Sequence, residues 1–135
     1  MKYLKVLTLF IIMGMLQGCP TPDNEVFAGE LLINNNSNET IYFYDSFSPT
    51  EFNINEVSLT HLKNQRLLSK NSKEIKVYKY LFGKGEKLYL FIFKQSTLDN
   101  YTWEEMQKNN IYDELYVLTL EDLEHMNWQV VYDGN

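Results

Sequence analysis

The first stretch of clear hydrophobic patterning is a short apolar run, Val6 to Leu16, which follows Lys2 and Lys5. It holds eleven residues, whereas a helix needs about 20 to cross the hydrocarbon core of a bilayer. A basic flank followed by a short apolar stretch is the make-up of a secretory signal peptide. From Cys19 to Gly29 no apolar periodicity is present, and Pro20 and Pro22 stiffen the segment. That segment reads as a tether reaching about 30 Å when extended. The pattern therefore predicts three parts: a leader at 1–18, a tether at 19–29 and a single folded domain at 30–135.

Inside the domain the pattern is strand-like. Glu30 to Asn34, an asparagine-rich turn at 34–38 and Thr40 to Asp45 predict a hairpin. Asparagine tolerates left-handed backbone, and the flanking residues are β-branched and aromatic. Ser46 to Phe52, broken by Pro49, predicts a loop, and residues 54–69 fit neither a helical nor a strand period. Glu74 to Phe82, a turn at Gly83-Lys84-Gly85 and Glu86 to Lys94 predict a second hairpin. The unbroken run Leu88 to Phe93 predicts a central strand covered on both faces. Its aliphatic residues Leu88, Leu90 and Ile92 would point one way, and Tyr89, Phe91 and Phe93 the other.

Further on, Thr102 with Glu105 forms a capping-box pattern that starts a helix running to Asn109, with Trp103 and Met106 sharing a face. Leu115 to Leu118 predicts a short strand. Thr119 with Asp122 begins a second capped turn, and Trp128 to Tyr132 a closing strand. The expected fold is mainly β, an antiparallel sheet or sandwich with one or two short helices; the alternative is α+β.

Charge narrows the function classes. Without its first 18 residues the chain has 117, with ten basic and eighteen acidic side chains, a net charge of −8. An acidic surface repels phosphate backbones, which argues against nucleic acid as a partner. Eighteen aromatic residues remain in that portion, too many for a disordered acidic tail. The charges are also segregated. Residues 19–62 carry seven acids and no base, residues 63–94 nine bases and two acids, and residues 95–135 nine acids and one base, Lys108. The basic stretch either neutralises acidic neighbours across strands or docks on anionic lipid or lipopolysaccharide. Charge runs usually coat a solvated face, which favours the first reading.

The most specific chemistry lies at Leu16-Gln17-Gly18-Cys19, which resembles the bacterial lipobox. The resemblance implies recognition of Leu16 and Gly18 by signal peptidase, cleavage after Gly18, and a diacylglyceryl group on the Cys19 thiol. Gly18 leaves room for a peptidase to approach, and Cys19 supplies the soft nucleophile that becomes a thioether. Cys19 is the only cysteine, so no internal disulfide forms. Buried acyl chain contributes about 0.8 kcal/mol per methylene, and two chains hold a protein stably. The implied partner is a lipid bilayer, reached through acylated Cys19, with the chain anchored in the cell envelope at the outer membrane, on its periplasmic or outer surface. Asp23 and Glu25 partly resemble the acidic surface-export signals of Bacteroidetes lipoproteins.

The rest of the chain resembles small uncharacterised lipoproteins of the Bacteroidetes. The residues that carry this are Ile33 to Ser37 with Ile41, the Trp103 helix, Leu120 to Leu123, Asn127-Trp128 and Tyr132. That resemblance implies an envelope location and no defined activity.

Catalytic constellations are sparse. His61 and His125 are isolated from one another and from Cys19, so neither has metal-ligand spacing. Glu121 and His125, four apart, read as a surface pair. No phosphate loop, nucleophile elbow or His-Glu-x-x-His stretch is present, and Gly83-Lys84-Gly85 lacks the following helix a phosphate cradle needs. No cofactor is expected. Glu104, Glu105, Asp113 and Glu114 are the carboxylates that would serve a small envelope hydrolase. Tyr42, Tyr44, Tyr78, Tyr80, Tyr89 and Tyr101 suit a carbohydrate or peptide platform, although tyrosine is also an ordinary strand former. Trp103 and Trp128 read as core. The expectation is a non-catalytic binding or assembly module whose partner is an envelope protein or a glycan. The competing expectations are the hydrolase and an immunity or inhibitor lipoprotein that presents its acidic face.

Overall fold

β5 (Lys87–Lys94) organises the molecule, and every residue from Leu88 to Phe93 is buried. This is a computed structural model, and it describes residues 26–135. The other strands are β1 (Phe27–Asn35), β2 (Ile41–Ser48), β3 (Arg66–Leu67), β4 (Ser72–Tyr78), β6 (Glu114–Leu118) and β7 (Gln129–Tyr132). Among the described residues four short helices accompany them: α1 (Leu59–Asn64), α2 (Gln95–Asn100), α3 (Trp103–Asn109) and α4 (Leu120–His125). Single 3-10 turns lie at Ile54–Glu56 and Lys79–Phe82. The fold is mainly β, as expected, with more helices than the sequence pattern announced.

The strands form two sheets, a three-stranded one in the order β4-β1-β7 and a four-stranded one in the order β3-β2-β5-β6. Leu88, Leu90 and Ile92 of β5 join Ile41 and Phe43 of β2 and face Leu31, Ile33, Val77 and Val130 of the other sheet. Tyr89, Phe91 and Phe93 point to the opposite side, where Ile54, Val57, Leu62 and Met106 cover them. The period of two in β5 thus sends its aliphatic residues into the sandwich core and its aromatic residues into a second core beneath helices. Among the described residues no helix is long and apolar enough to cross a membrane.

Both predicted hairpins are corrected. β1 and β2 lie in different sheets, and so do β4 and β5; each connection is a corner between layers. At the first corner Asn35 is 1% exposed. Its amide donates to the carbonyls of Glu39 (2.8 Å), Leu68 (3.1 Å) and Leu67 (3.2 Å). Its Oδ1 accepts from the Ser37 backbone N–H and hydroxyl at 3.1 and 2.6 Å. A buried amide satisfied this way pins the chain as it leaves one sheet for the other. At the second corner Leu81 and Phe82 pack on the core, and Phe82 meets Phe47 edge-on at 5.1 Å. The strand expected to run to Phe82 ends at Tyr78, and these apolar residues of the 3-10 turn plug the end of the sandwich just before Gly83.

The pairing of β1 with β7 is parallel, so the smaller sheet is mixed. Asn127 and Trp128 both adopt left-handed backbone, with φ of 52° and 58°, and swing the chain from α4 into β7. The Trp128 ring then lies so close to Gly29 that a Cβ there would sit 2.6 Å from it. Two capped starts match the sequence. Thr102 with Glu105 and Thr119 with Asp122 each form complete reciprocal capping boxes, satisfying amide groups that a helix start leaves unpaired.

Candidate functional site

The helices over the aromatic face are only six or seven residues long, too short to seal a four-stranded sheet. A cleft of about 360 Å³ remains between the 51–55 segment and the end of α3. Its floor is apolar: Phe52, Phe91, Tyr112 and Leu115. Phe52 stacks on Tyr44 with ring centroids 6.0 Å apart, and Tyr112 meets Phe91 edge-on at 5.3 Å. These rings lock one another in place.

Four amide side chains, Asn53, Asn55, Gln107 and Asn110, form the rim together with Glu51 and Lys108. Local structure fixes this rim. Asn53 caps the 3-10 turn, its Oδ1 accepting from the Asn55 N–H at 2.8 Å, while Glu56 accepts from the Asn53 N–H at 3.1 Å. Asn110 ends α3 in left-handed backbone, φ 53°, a conformation asparagine adopts readily. Gln107 Nε2 reaches the Asn55 carbonyl at 3.5 Å. An apolar floor with planar amides at its edge suits a ligand with one apolar face and hydroxyl or peptide groups around it.

The carboxylates nominated from sequence do not converge on this cleft. Glu105 accepts from the Thr102 N–H (2.8 Å) and hydroxyl (3.0 Å), and the backbone bond first, then the hydroxyl, hold its carboxyl below the usual range. Asp113 accepts from the Lys94 N–H at 2.7 Å and the Thr97 hydroxyl at 2.9 Å, stapling β5 and α2. Glu104 is exposed in the first turn of α3. Glu114 lies opposite Ile92 in the ladder between β5 and β6. Asp45 pairs in register with Leu90, which puts it on the sandwich side, away from the cleft. Burial pushes the Asp45 carboxyl up, against the lowering influence of His61, its own backbone and Lys73.

Leu16, Gly18 and Cys19, the positions of the expected lipobox, lie outside the described residues. His61 packs edge-on against Tyr44 at 5.4 Å, with its Nε2 3.3 Å from Gln65 Nε2. The expected surface pair is present, His125 Nε2 lying 3.9 Å from Glu121. Among the described residues no group of three or more His, Cys, Asp or Glu is placed to hold a metal ion. At the glycine turn the Lys84 N–H donates to Glu86 at 2.9 Å, so a carboxylate of the chain itself occupies it.

The tyrosines divide. Tyr89 is buried; Tyr42 and Tyr44 are half-covered, and the Tyr42 hydroxyl donates to Gln95 at 2.8 Å. Trp103 packs beside Phe93 at 5.8 Å, and Trp128 lies against the sandwich core. Tyr78 and Tyr80 stack at 6.0 Å at the start of the domain, beside Phe27. Lysine neutralisation by ion pairs is not seen: among the described residues no Lys or Arg nitrogen lies within 4.0 Å of a carboxylate. Glu30 and Lys76 are cross-strand partners in register without that contact.

The cleft has no contiguous signature in the sequence, its lining being drawn from residues 51–55, 91 and 107–115. Its one legible signal was Asn53 followed three residues later by Glu56, the same capping-box spacing as at Thr102. No protein-family profile, curated protein or solved structure matches the chain.

Proposed function

We propose that this chain is a lipid-anchored protein of a bacterial envelope, held to a membrane through acylated Cys19, with its domain acting as a non-catalytic binding module. The observation that carries the reading is Leu16-Gln17-Gly18-Cys19 placed directly behind a basic flank and an apolar run too short to span a bilayer. The cleft supports the binding half. It offers an aromatic floor and an amide rim, the make-up that takes a sugar ring or an extended peptide. The hydrogen bonding of Glu105 and Asp113 supports it too, because both carboxylates hold the fold together.

Fractionation of cells expressing the chain and its Cys19→Ser variant tests the anchor. The unaltered protein is expected in the membrane fraction after a high-salt wash and the variant in the soluble fraction. A salt-washed variant that stays on the membrane overturns the anchor. The binding half is read by nuclear magnetic resonance. Chitobiose and a short peptidoglycan fragment are titrated in turn, and shifts are expected at Tyr112 and Leu115 for one of them.

A further inference from the structure

The described chain begins at an aromatic edge. Val26, Phe27 and Tyr80 are 44%, 50% and 51% exposed, which is unusual for apolar side chains grouped together. Phe27 meets Tyr78 edge-on at 6.1 Å, and Tyr78 stacks on Tyr80 at 6.0 Å. The Lys79 N–H donates to the Val26 carbonyl at 2.9 Å, so the first described residue is pinned beside the turn that carries Tyr80. Residues 76–84 hold three lysines, Lys76, Lys79 and Lys84, and no acid. All three are exposed, and none lies within 4.0 Å of a carboxylate.

Tether length decides what faces this edge. Six residues lie between Cys19 and Val26, and the seven residue-to-residue steps, at roughly 3.3 Å each when extended, reach about 23 Å. Lipid held at Cys19 therefore keeps this end of the domain, before any other, within reach of headgroups. Tyrosine and phenylalanine suit that boundary because their rings are apolar and the tyrosine hydroxyl stays wet. Lysine stems lie along apolar surface while their ammonium groups meet anionic lipid.

We propose that Val26, Phe27, Tyr78 and Tyr80, ringed by Lys76, Lys79 and Lys84, seat the domain on the headgroup layer of an anionic bilayer. The proposal rests on the anchored reading of Cys19 and adds an orientation to it. The three-stranded sheet then meets the membrane at the Phe27 end. Its Asn34 end, seven residues further along β1, stands about 23 Å away at ~3.3 Å per residue.

Spin-label accessibility on the full acylated chain tests it. With Cys19 capped by lipid, Lys84→Cys or Val131→Cys supplies the one free thiol. The labelled protein is incorporated into vesicles of phosphatidylethanolamine with phosphatidylglycerol. The label at 84 is expected to be shielded from a water-soluble nickel chelate several-fold more than the label at 131. Adding Phe27→Ser with Tyr80→Ser is expected to erase the difference. Both side chains are half-exposed, and an unchanged circular dichroism spectrum confirms that the fold persists. Acylated, floating protein whose two labels are equally wet, or whose difference survives the double substitution, overturns the seating and leaves the anchor standing. Protein whose mass shows unmodified Cys19 overturns the anchor, and the seating with it.

Discussion

The two faces of the four-stranded sheet use the same strands and are closed in different ways. Toward the three-stranded sheet it presents Leu88, Leu90, Ile92, Ile41 and Phe43, and a second layer of strands covers them completely. Toward the helices it presents Tyr89, Phe91 and Phe93, and the cover is four short pieces: one 3-10 turn, α1, α2 and α3. Aliphatic side chains interdigitate between two sheets and leave little room. Flat rings under short helices leave a gap at one side, and that gap is the cleft. The first face is closed by a whole second sheet, and the opening suited to a ligand is on the second.

Substitutions on the two faces should separate these roles. Ile92→Ala removes a fully buried aliphatic residue between two layers that cannot close around the void, and a loss of about 3–4 kcal/mol is expected in urea unfolding. Leu115→Ala, on the cleft floor where water already reaches, should cost about 1 kcal/mol. Equal losses at the two sites would end the distinction. Asn35→Ala comes next in size. It removes a donor from the carbonyls of Glu39, Leu67 and Leu68 and takes the acceptor from the buried Ser37 N–H at the corner between the sheets, with an expected cost of about 2–3 kcal/mol.

Smaller effects sharpen the picture at its margins. Thr119→Ala removes the cap of α4, which rests against the sandwich, and Thr102→Ala that of α3, which rests on the aromatic face. Each is expected to lower stability by about 1 kcal/mol. The Thr102 change should in addition alter amide exchange around Asn110 on the cleft rim. The smallest effect is at Asp45, whose carboxyl burial pushes above its ordinary 3.8. A raised folded value means that ionisation costs the folded state more than the unfolded one. The cost is absent below about the ordinary value and grows as pH rises from there through the raised folded value. Asp45→Asn is therefore expected to raise the thermal midpoint at neutral pH and leave it unchanged in acid below the ordinary range. A midpoint that shifts equally at both pH values would contradict this.

Alternation in the sequence was sufficient to read β5, because a strand buried on both faces writes its two cores into odd and even positions. The capping boxes at Thr102 and Thr119 were equally legible, since that signal is local. The two corners were not. The residues around Asn35 and around Gly83 read the same whether the next strand joins its own sheet or the facing one, and pairing partners are set by contacts far apart in sequence. α2 escaped because Lys94 at its start makes no side-chain cap. The parallel seat of β7 depends on Trp128 filling the space above Gly29, which no local pattern encodes. The cleft was hidden for a related reason: its floor comes from β5, β6 and two loops that meet only in the folded chain.

The most direct test is the intact mass of the protein taken from a bacterial membrane fraction, followed by sequencing of its first peptide. The expected species begins at Cys19 and carries a diacylglyceryl thioether on that residue. A chain that begins elsewhere, or whose Cys19 is a free thiol, would contradict the anchored reading.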